Sequence, residues 1–177
     1  MLTLSLLRHA KSSWAIAGLD DFDRPLNARG EEAAPRMGAF MAKRGIAPEL
    51  ILCSSAARTR QTLGLVLARL RRKPEVVYED ALYGAAEEVL LAHIRKVPSM
   101  VRHVMVIGHD PGLHALACML AGTGPRKDLD ALVEKLPTAG LAVMAFPGRA
   151  WSEVERGAGR LKLFMTPKRL PQPRPGS

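Results

Sequence analysis

The chain has 177 residues, 47% of them hydrophobic and 24% charged, with a formal net charge of +9. That length and balance suit one folded domain with a substantial core and leave too little chain for two. They exclude a disordered or fibrous polypeptide, no stretch reaches the ~18 apolar residues that span a bilayer, and the cationic excess favours an anionic partner.

Leu2, Leu4, Leu6 and Leu7 form an apolar run that reads as a buried strand and stops at Arg8-His9. In an open α/β sheet the carboxyl end of a strand is where ligands bind. Lys11–Leu26 has no sustained period and reads as a loop. Asn27 is placed to cap a helix starting at Ala28, weakened by Gly30, expected to kink or restart at Pro35, and ended by Gly45. Met37, Phe40 and Met41 give that helix its inward face. Leu50–Cys53 reads as a second buried strand, and Ser54 or Ser55 as the cap of a helix through Leu70, with Leu63, Val66, Leu67 and Leu70 inward. The basic run Arg69, Arg71, Arg72, Lys73 reads as a solvated helix end that suits the helix dipole.

Glu75–Tyr78 reads as a strand, Ala85–Val97 as an amphipathic helix and Val101–Ile107 as another strand, followed by Gly108-His109-Asp110-Pro111-Gly112. Pro111 suits the first helical position, and Leu113–Ala121 continues as helix. Thr123–Pro137 reads as a polar excursion with about one helical turn at Leu129–Leu136. Gly140–Phe146 and Arg160–Met165 read as a hairpin. Residues 1–166 thus make one domain, and 167–177, Pro-rich and basic, read as a disordered or loosely held tail. Alternating strands and helices imply an α/β fold: a mostly parallel sheet with helices on both faces, plus at least one antiparallel strand near the C-terminus.

Cys53 and Cys118 form no CxxC or Cys/His metal pattern and read as free buried thiols. The first residues lack a signal-peptide pattern, so a cytoplasmic location is expected.

The strand ends carry the chemistry. Arg8 and His9, then Arg58, Asp80 and His109, stand at strand ends or in the loops that follow, and the Arg8-His9, Ser54–Arg58 and Gly108-His109 turns each deliver a phosphate-compatible group to the same rim of the sheet. Arg8-His9-Ala10, Ser55-Ala56-Ala57-Arg58-Thr59-Arg60-Gln61-Thr62 and Gly108-His109 stand in the order of the motifs of the histidine phosphatase superfamily, which the sequence resembles. Arg8–Trp14 (RHAKSSW), Asp23–Gly30 (DRPLNARG) and Val106–His114 (VIGHDPGLH) are similar to its small SixA-type phosphohistidine phosphatase branch.

The resemblance spans Leu2–Met165 and implies a three-layer phosphoglycerate-mutase-like fold and a phosphatase that uses no metal or other cofactor. It implies that His9 is the nucleophile, forming a phosphohistidine intermediate, and that Arg8, Arg58 and His109 hold the equatorial oxygens. Physical chemistry agrees, since phosphoryl transfer needs positioning and charge neutralisation, and arginine forks match phosphate geometry. His9 must be neutral to attack, and nearby arginines favour that form; His109 is expected to serve as a cationic clamp when phosphate is bound. Ala10 departs from the family's RHG, where glycine would tolerate unusual backbone angles, and reads as a mark of the branch.

The general acid is open between Asp80, three residues before Tyr83-Gly84, its neighbour Glu79, and none. A leaving imidazole with a pKa of ~6.5 accepts a proton readily, so a phosphohistidine substrate relaxes that need. Arg24 either reaches substrate or pairs with Asp20, Asp21 or Asp23. Ser12 and Ser13 either donate to phosphate or shape a turn. His114 reads as structural, His93 and His103 as surface positions, and Trp14 and Trp151 as loop anchors.

Larger relatives insert a cap before the acid loop. Here only about a dozen residues separate Leu67 from Asp80, so an open groove suited to a phosphorylated protein is expected. Three functions remain: a protein phosphohistidine phosphatase, which is preferred, a small-molecule phosphomonoesterase, and a non-catalytic basic module binding phosphate or nucleic acid. The expected partner is a phosphohistidine protein or a small phosphomonoester, with no nucleic acid and no membrane.

Overall fold

A computed structural model describes residues 1–171. In chain order it contains β1 (Leu2–Arg8), α1 (Ala28–Lys43), β2 (Leu50–Ser54), α2 (Ala57–Leu67), β3 (Glu75–Glu79), α3 (Glu87–Arg95), β4 (His103–Gly108), α4 (Gly112–Leu120), β5 (Ala121–Thr123), α5 (Arg126–Glu134), β6 (Leu141–Phe146) and β7 (Gly159–Met165). The strands form a 7-stranded sheet in the order β3-β2-β4-β1-β6-β7-β5. β1 pairs in parallel with β4, Arg8 lying opposite Gly108, and antiparallel with β6, Leu7 lying opposite Leu141. β6 is also antiparallel to β7, so it is the reversed strand that the sequence led us to expect.

Side chains alternate across a strand, and the buried residues sort accordingly. Leu2, Leu4 and Leu6 of β1, with Val104 and Val106 of β4, pack on the face covered by α3, α4 and α5 through Leu90, Ile94, Leu113, Leu116 and Leu132. Leu7, Met105 and Ile107 pack on the other face with Met37 and Met41 of α1 and Leu63 and Val66 of α2. Each fully buried side chain of this size stabilises the fold by roughly 1.5–3 kcal/mol.

The helix that follows β1 lies on one face and the helix that follows β4 on the other. Between two such adjacent parallel strands the connections part, and a crevice opens at their carboxyl ends. His9 and His109 stand at those two ends.

Several local expectations change. α1 is capped by Asn27, whose side chain accepts from the Gly30 N–H at 3.0 Å, but it runs unbroken through Pro35. Burial of Ala34, Met37, Gly38 and Met41 on that stretch outweighs the missing donor. Gly30 is required there, because a Cβ would come within 2.2 Å of the Lys11 carbonyl oxygen. Gly45, at φ 68°, ends the helix as foreseen. α2 starts from Ala56 with no side-chain cap, and the Ser54 hydroxyl turns to His109 instead. α5 is a nine-residue helix, not one turn. The expected tail begins packed: Pro167–Arg169 form a 3-10 turn, Leu170 is buried in the α1–α2 core, and the remainder of that segment, 172–177, lies outside the described residues. No helix among the described residues is long and apolar enough to cross a membrane.

Candidate active site

Parallel pairing of β1 and β4 sets the two imidazoles side by side. The His9 N–H donates to the Gly108 carbonyl at 3.1 Å, and the rings of His9 and His109 lie 5.2 Å apart. His9 Nδ1 sits 2.7 Å from the Ala10 carbonyl, which can only accept, so Nδ1 carries the proton and Nε2 keeps its lone pair. Burial, with Arg58 and Arg8 adding to it, lowers the His9 pKa to about 4, so the ring is neutral at pH 7.

Ala10 fits without strain. It is fully buried, and its backbone lies outside the positive-φ region that would call for glycine. The positive-φ non-glycine residue among the described residues is Ala139, φ 56°, whose N–H donates to both the Arg8 and the His9 carbonyls at 3.0 Å. An L-residue in that conformation is costly, and here it fixes the end of β1.

α2 explains the spacing Arg58-x-x-Gln61-Thr62. Arg58 is buried at the crevice, while Thr62 Oγ1, a turn further on, accepts from the Ala10 N–H at 2.9 Å and donates to the Arg58 carbonyl at 2.6 Å. Gln61 Oε1 accepts from the Leu26 N–H at 2.7 Å, tying down the loop before α1. One helical turn thus carries the cation and clamps both segments beside it.

His109 Nε2 lies 2.8 Å from Ser54 Oγ. That hydroxyl also accepts from the Ala56 N–H, and its own proton is available to Nε2, in which tautomer the His109 proton sits on Nδ1. The His109 pKa falls to about 3, through burial and then the neighbouring His9 and Arg58, so the ring is neutral in this state and not yet the cationic clamp expected. Among the described residues, two buried side-chain nitrogens lack a hydrogen-bond partner: His109 Nδ1 and Arg8 Nε. Leaving such a donor unpaired costs about 1–3 kcal/mol. Both orphans belong to the four-residue set, where an anion would satisfy them.

The structure also gathers residues that the sequence reading did not single out. Asp21 Oδ2 lies 2.9 Å from Arg58 Nη2 and 2.6 Å from the Tyr83 hydroxyl, while Oδ1 lies 2.6 Å from Arg24 Nη1. The Tyr83 hydroxyl, with Arg24 and Arg58, holds the Asp21 carboxyl well below the usual carboxylate range. Tyr83 packs edge-on against His109 at 5.3 Å, and Phe22 edge-on against Tyr83 at 5.0 Å. The sequence offers Asp21 only as one of three surface partners for Arg24, and nothing in its spacing separates it from Asp20 or Asp23.

Arg24 is buried, paired with Asp21, bonded to Ser12 Oγ at 2.6 Å, and covered by the Trp14 ring at 3.2 Å. Ser12 is thereby engaged by Arg24. Asp80 is exposed in the 3-10 turn Asp80–Leu82 and accepts the Tyr83 N–H through its backbone carbonyl. Glu79 is 2.6 Å from His93, which is therefore paired and not a simple surface position. His103 likewise bonds Ser5 at 2.8 Å, and burial brings its pKa down to about 4. His114 bonds the Leu132 carbonyl, a structural role as expected. Trp151 is a buried anchor, donating to the Val101 carbonyl at 2.7 Å, whereas Trp14 is 75% exposed.

Both cysteines are free; Cys53 is buried, and Cys118 only partly so. Only β3 lies between α2 and the Asp80 turn, so the inserted cap is absent. The open groove does not follow: the Asp21 turn rests on the basic side chains, leaving His9, Arg58 and His109 at 7%, 6% and 5% exposure.

The family model described as the histidine phosphatase superfamily (branch 1) matches residues 4–87. An uncharacterized protein from Mycobacterium tuberculosis is 37% identical over 167 residues, covering 92% of this chain and all of that one. Among solved structures, a protein assigned as the phosphohistidine phosphatase SixA from Agrobacterium tumefaciens is 35% identical, with a TM-score of 0.77 over 93% of this chain and 97% of that one. One with the same assignment from Nakamurella multipartitia is 32% identical, with a TM-score of 0.78 over 94% and 96%. With two strand-end histidines, the buried Arg58 and the half-buried Arg8 converging at one crevice, and with these likenesses along nearly its whole length, the chain belongs to the histidine phosphatase superfamily, in its SixA-type branch.

Proposed function

We propose that this chain is a metal-independent phosphatase that removes the phosphoryl group from phosphohistidine in a protein, with His9 as nucleophile. The observation that carries the reading is the pair of orphaned nitrogens, His109 Nδ1 and Arg8 Nε, on two residues that neighbour His9, whose Nδ1 is engaged by the Ala10 carbonyl and whose Nε2 keeps its lone pair. The charge of a bound phosphoryl dianion would favour the cationic form of His109, whose Nδ1 then donates, and would give Arg8 Nε an acceptor.

In the first step the Nε2 lone pair of His9 attacks phosphorus. The bond from phosphorus to the leaving nitrogen breaks, its electron pair stays on the leaving imidazole, and that imidazole takes up a proton. In the second step water attacks the phosphohistidine, the phosphorus–Nε2 bond breaks, His9 regains its lone pair, and orthophosphate leaves as the water's proton is lost to solvent.

The P–N substrate is favoured over a phosphomonoester by the state of the nearby carboxyl groups. Asp21 is held ionised, Glu79 is paired with His93, and Asp80 is exposed to solvent. A leaving imidazole needs no strong acid, whereas an alkoxide does. Arg24 and Ser12 support the phosphate indirectly, through Asp21 and the loop that carries it. Free thiols at Cys53 and Cys118 fit a cytoplasmic location.

Trapping the enzyme with a protein bearing 32P-phosphohistidine tests the reading. The label is expected on His9, and both label and turnover are expected to vanish in His9→Ala. Turnover that survives His9→Ala, or sugar phosphates turned over in clear preference to phosphohistidine, rejects it.

A further inference from the structure

Beside the candidate active site lies a surface cavity of about 490 Å³ lined by Lys11, Arg29, Arg36, Lys135 and Lys168, with Glu32 as its carboxylate. Glu32 pairs with Arg36 at 3.7 Å, and Arg36 also donates to the Pro171 carbonyl at 3.2 Å. The other four cations form no ion pair among the described residues. They come from four separate pieces of chain: the segment after β1, the start of α1, the residue after α5, and the turn after β7. All four pieces meet at the rim where β1 ends and the reversed strand β6 begins.

Cavity and site are built on the same stretches of chain. Lys11 follows His9 by two residues. Arg8 Nη1 donates to the Leu136 carbonyl at 2.9 Å, directly after Lys135, and Ala139 holds the Arg8 and His9 carbonyls. Four like charges held together by the fold repel one another, and an incoming set of acids relieves that repulsion. A small phosphomonoester bound at His9 would not extend into this cavity, whereas the protein surface around a phosphorylated side chain would lie against it.

We propose that the groove formed by Lys11, Arg29, Lys135 and Lys168 docks an acidic surface of the protein that carries the phosphoryl group. The proposal rests on the substrate class proposed above and adds to it the charge of the partner and the face that meets it.

The test uses the full chain and the triple variant Arg29→Ala/Lys135→Ala/Lys168→Ala, whose side chains have no part in the proposed chemistry. Fluorescence anisotropy of a labelled octaglutamate peptide is expected to show binding that weakens steeply with salt and at least a tenfold loss in the variant. With an acidic phosphohistidine protein as substrate, KM is expected to rise at least tenfold, with kcat and the turnover of p-nitrophenyl phosphate unchanged within twofold. The single variant Lys168→Glu repeats the comparison should the triple variant fold poorly.

The inference is overturned if the peptide fails to bind, binds the variant equally, or if p-nitrophenyl phosphate turnover falls in parallel. Tighter groove-dependent binding of duplex DNA overturns it in favour of nucleic acid. A wild-type chain that hydrolyses p-nitrophenyl phosphate but no phosphohistidine protein rejects the substrate class alone, and the peptide measurement still decides the groove.

Discussion

At Asp21 the chain's own carboxylate already sits on Arg58, one of the arginines proposed to hold phosphate. Arg58 and Arg24 each give it a charge-assisted hydrogen bond, and Tyr83 gives it a third contact. A bound dianion must compete for these donors. Asp21→Asn keeps the shape and removes the charge, so the inhibition constant of orthovanadate is expected to fall about tenfold, or ~1.4 kcal/mol. A rise in that constant would instead make Asp21 the residue that holds Arg58 in place. The nucleophile gives a second residue-scale expectation. The His9 pKa is lowered to about 4, first by burial and then by its arginine neighbours. The acid limb of kcat/KM, corrected for the substrate's own ionisation, should therefore lie near pH 4, and a limb near the ordinary ~6.5 would show that the ring is not desolvated in solution.

Among the elements, α2 joins sequence spacing to site geometry. Its Thr62 binds the segment after His9, and its Gln61 binds the loop that carries Asp21 and Arg24. Thr62→Val removes the acceptor for the buried Ala10 N–H, which is expected to cost about 1–3 kcal/mol of stability and to lower kcat more than it changes KM; urea unfolding and steady-state kinetics measure the two. α1 gives a separate steric case. A Cβ at Gly30 would lie 2.2 Å from the Lys11 carbonyl oxygen, so Gly30→Ala should lower the Tm although alanine is the better helix former. The apolar runs of β1, β2 and β4 and the Asn27 cap were legible because each rests on local periodicity or on a neighbour three residues away. The unbroken passage through Pro35 and the capless start of α2 were not, because both are decided by what packs on the helix from elsewhere in the chain.

For the whole molecule, three histidines titrate together with the fold. His9 and His103 are lowered to about 4 and His109 to about 3, in each case chiefly by burial. Each folded pKa lies below the unfolded value near ~6.5, so between these limits the unfolded chain binds protons that the folded chain refuses. The stability they contribute is present above pH ~6.5 and is lost as pH falls toward about 4, by at most ~1.4 kcal/mol per pH unit for each ring. The Tm is therefore expected to drop through that window, and less so in His103→Gln. A flat Tm from pH 7 to pH 5 would contradict the burial of these rings.

The four-residue set around His9 was readable from sequence because every member sits at a strand end or in the first turn after one, and a parallel sheet brings such ends to a single rim. The roles left open there concerned Arg24 and Ser12, in a loop without a period, and Glu79 and Asp80, at the end of β3 and in the turn after it. Which acid meets the arginines is settled by the path of the segment between Lys11 and Leu26, pinned by Gln61 and by the pairing of Ser12 with Leu26. The amino-acid order by itself determined the α/β alternation, the reversed strand near the C-terminus and the four basic groups, since these follow from hydrophobic period and strand-end position. Only the tertiary structure decided that Asp21 lies on Arg58, that Tyr83 lies on His109, and that lysines and arginines from four distant segments share one groove. Those contacts join residues that no local pattern relates, and they exist only once the sheet has closed.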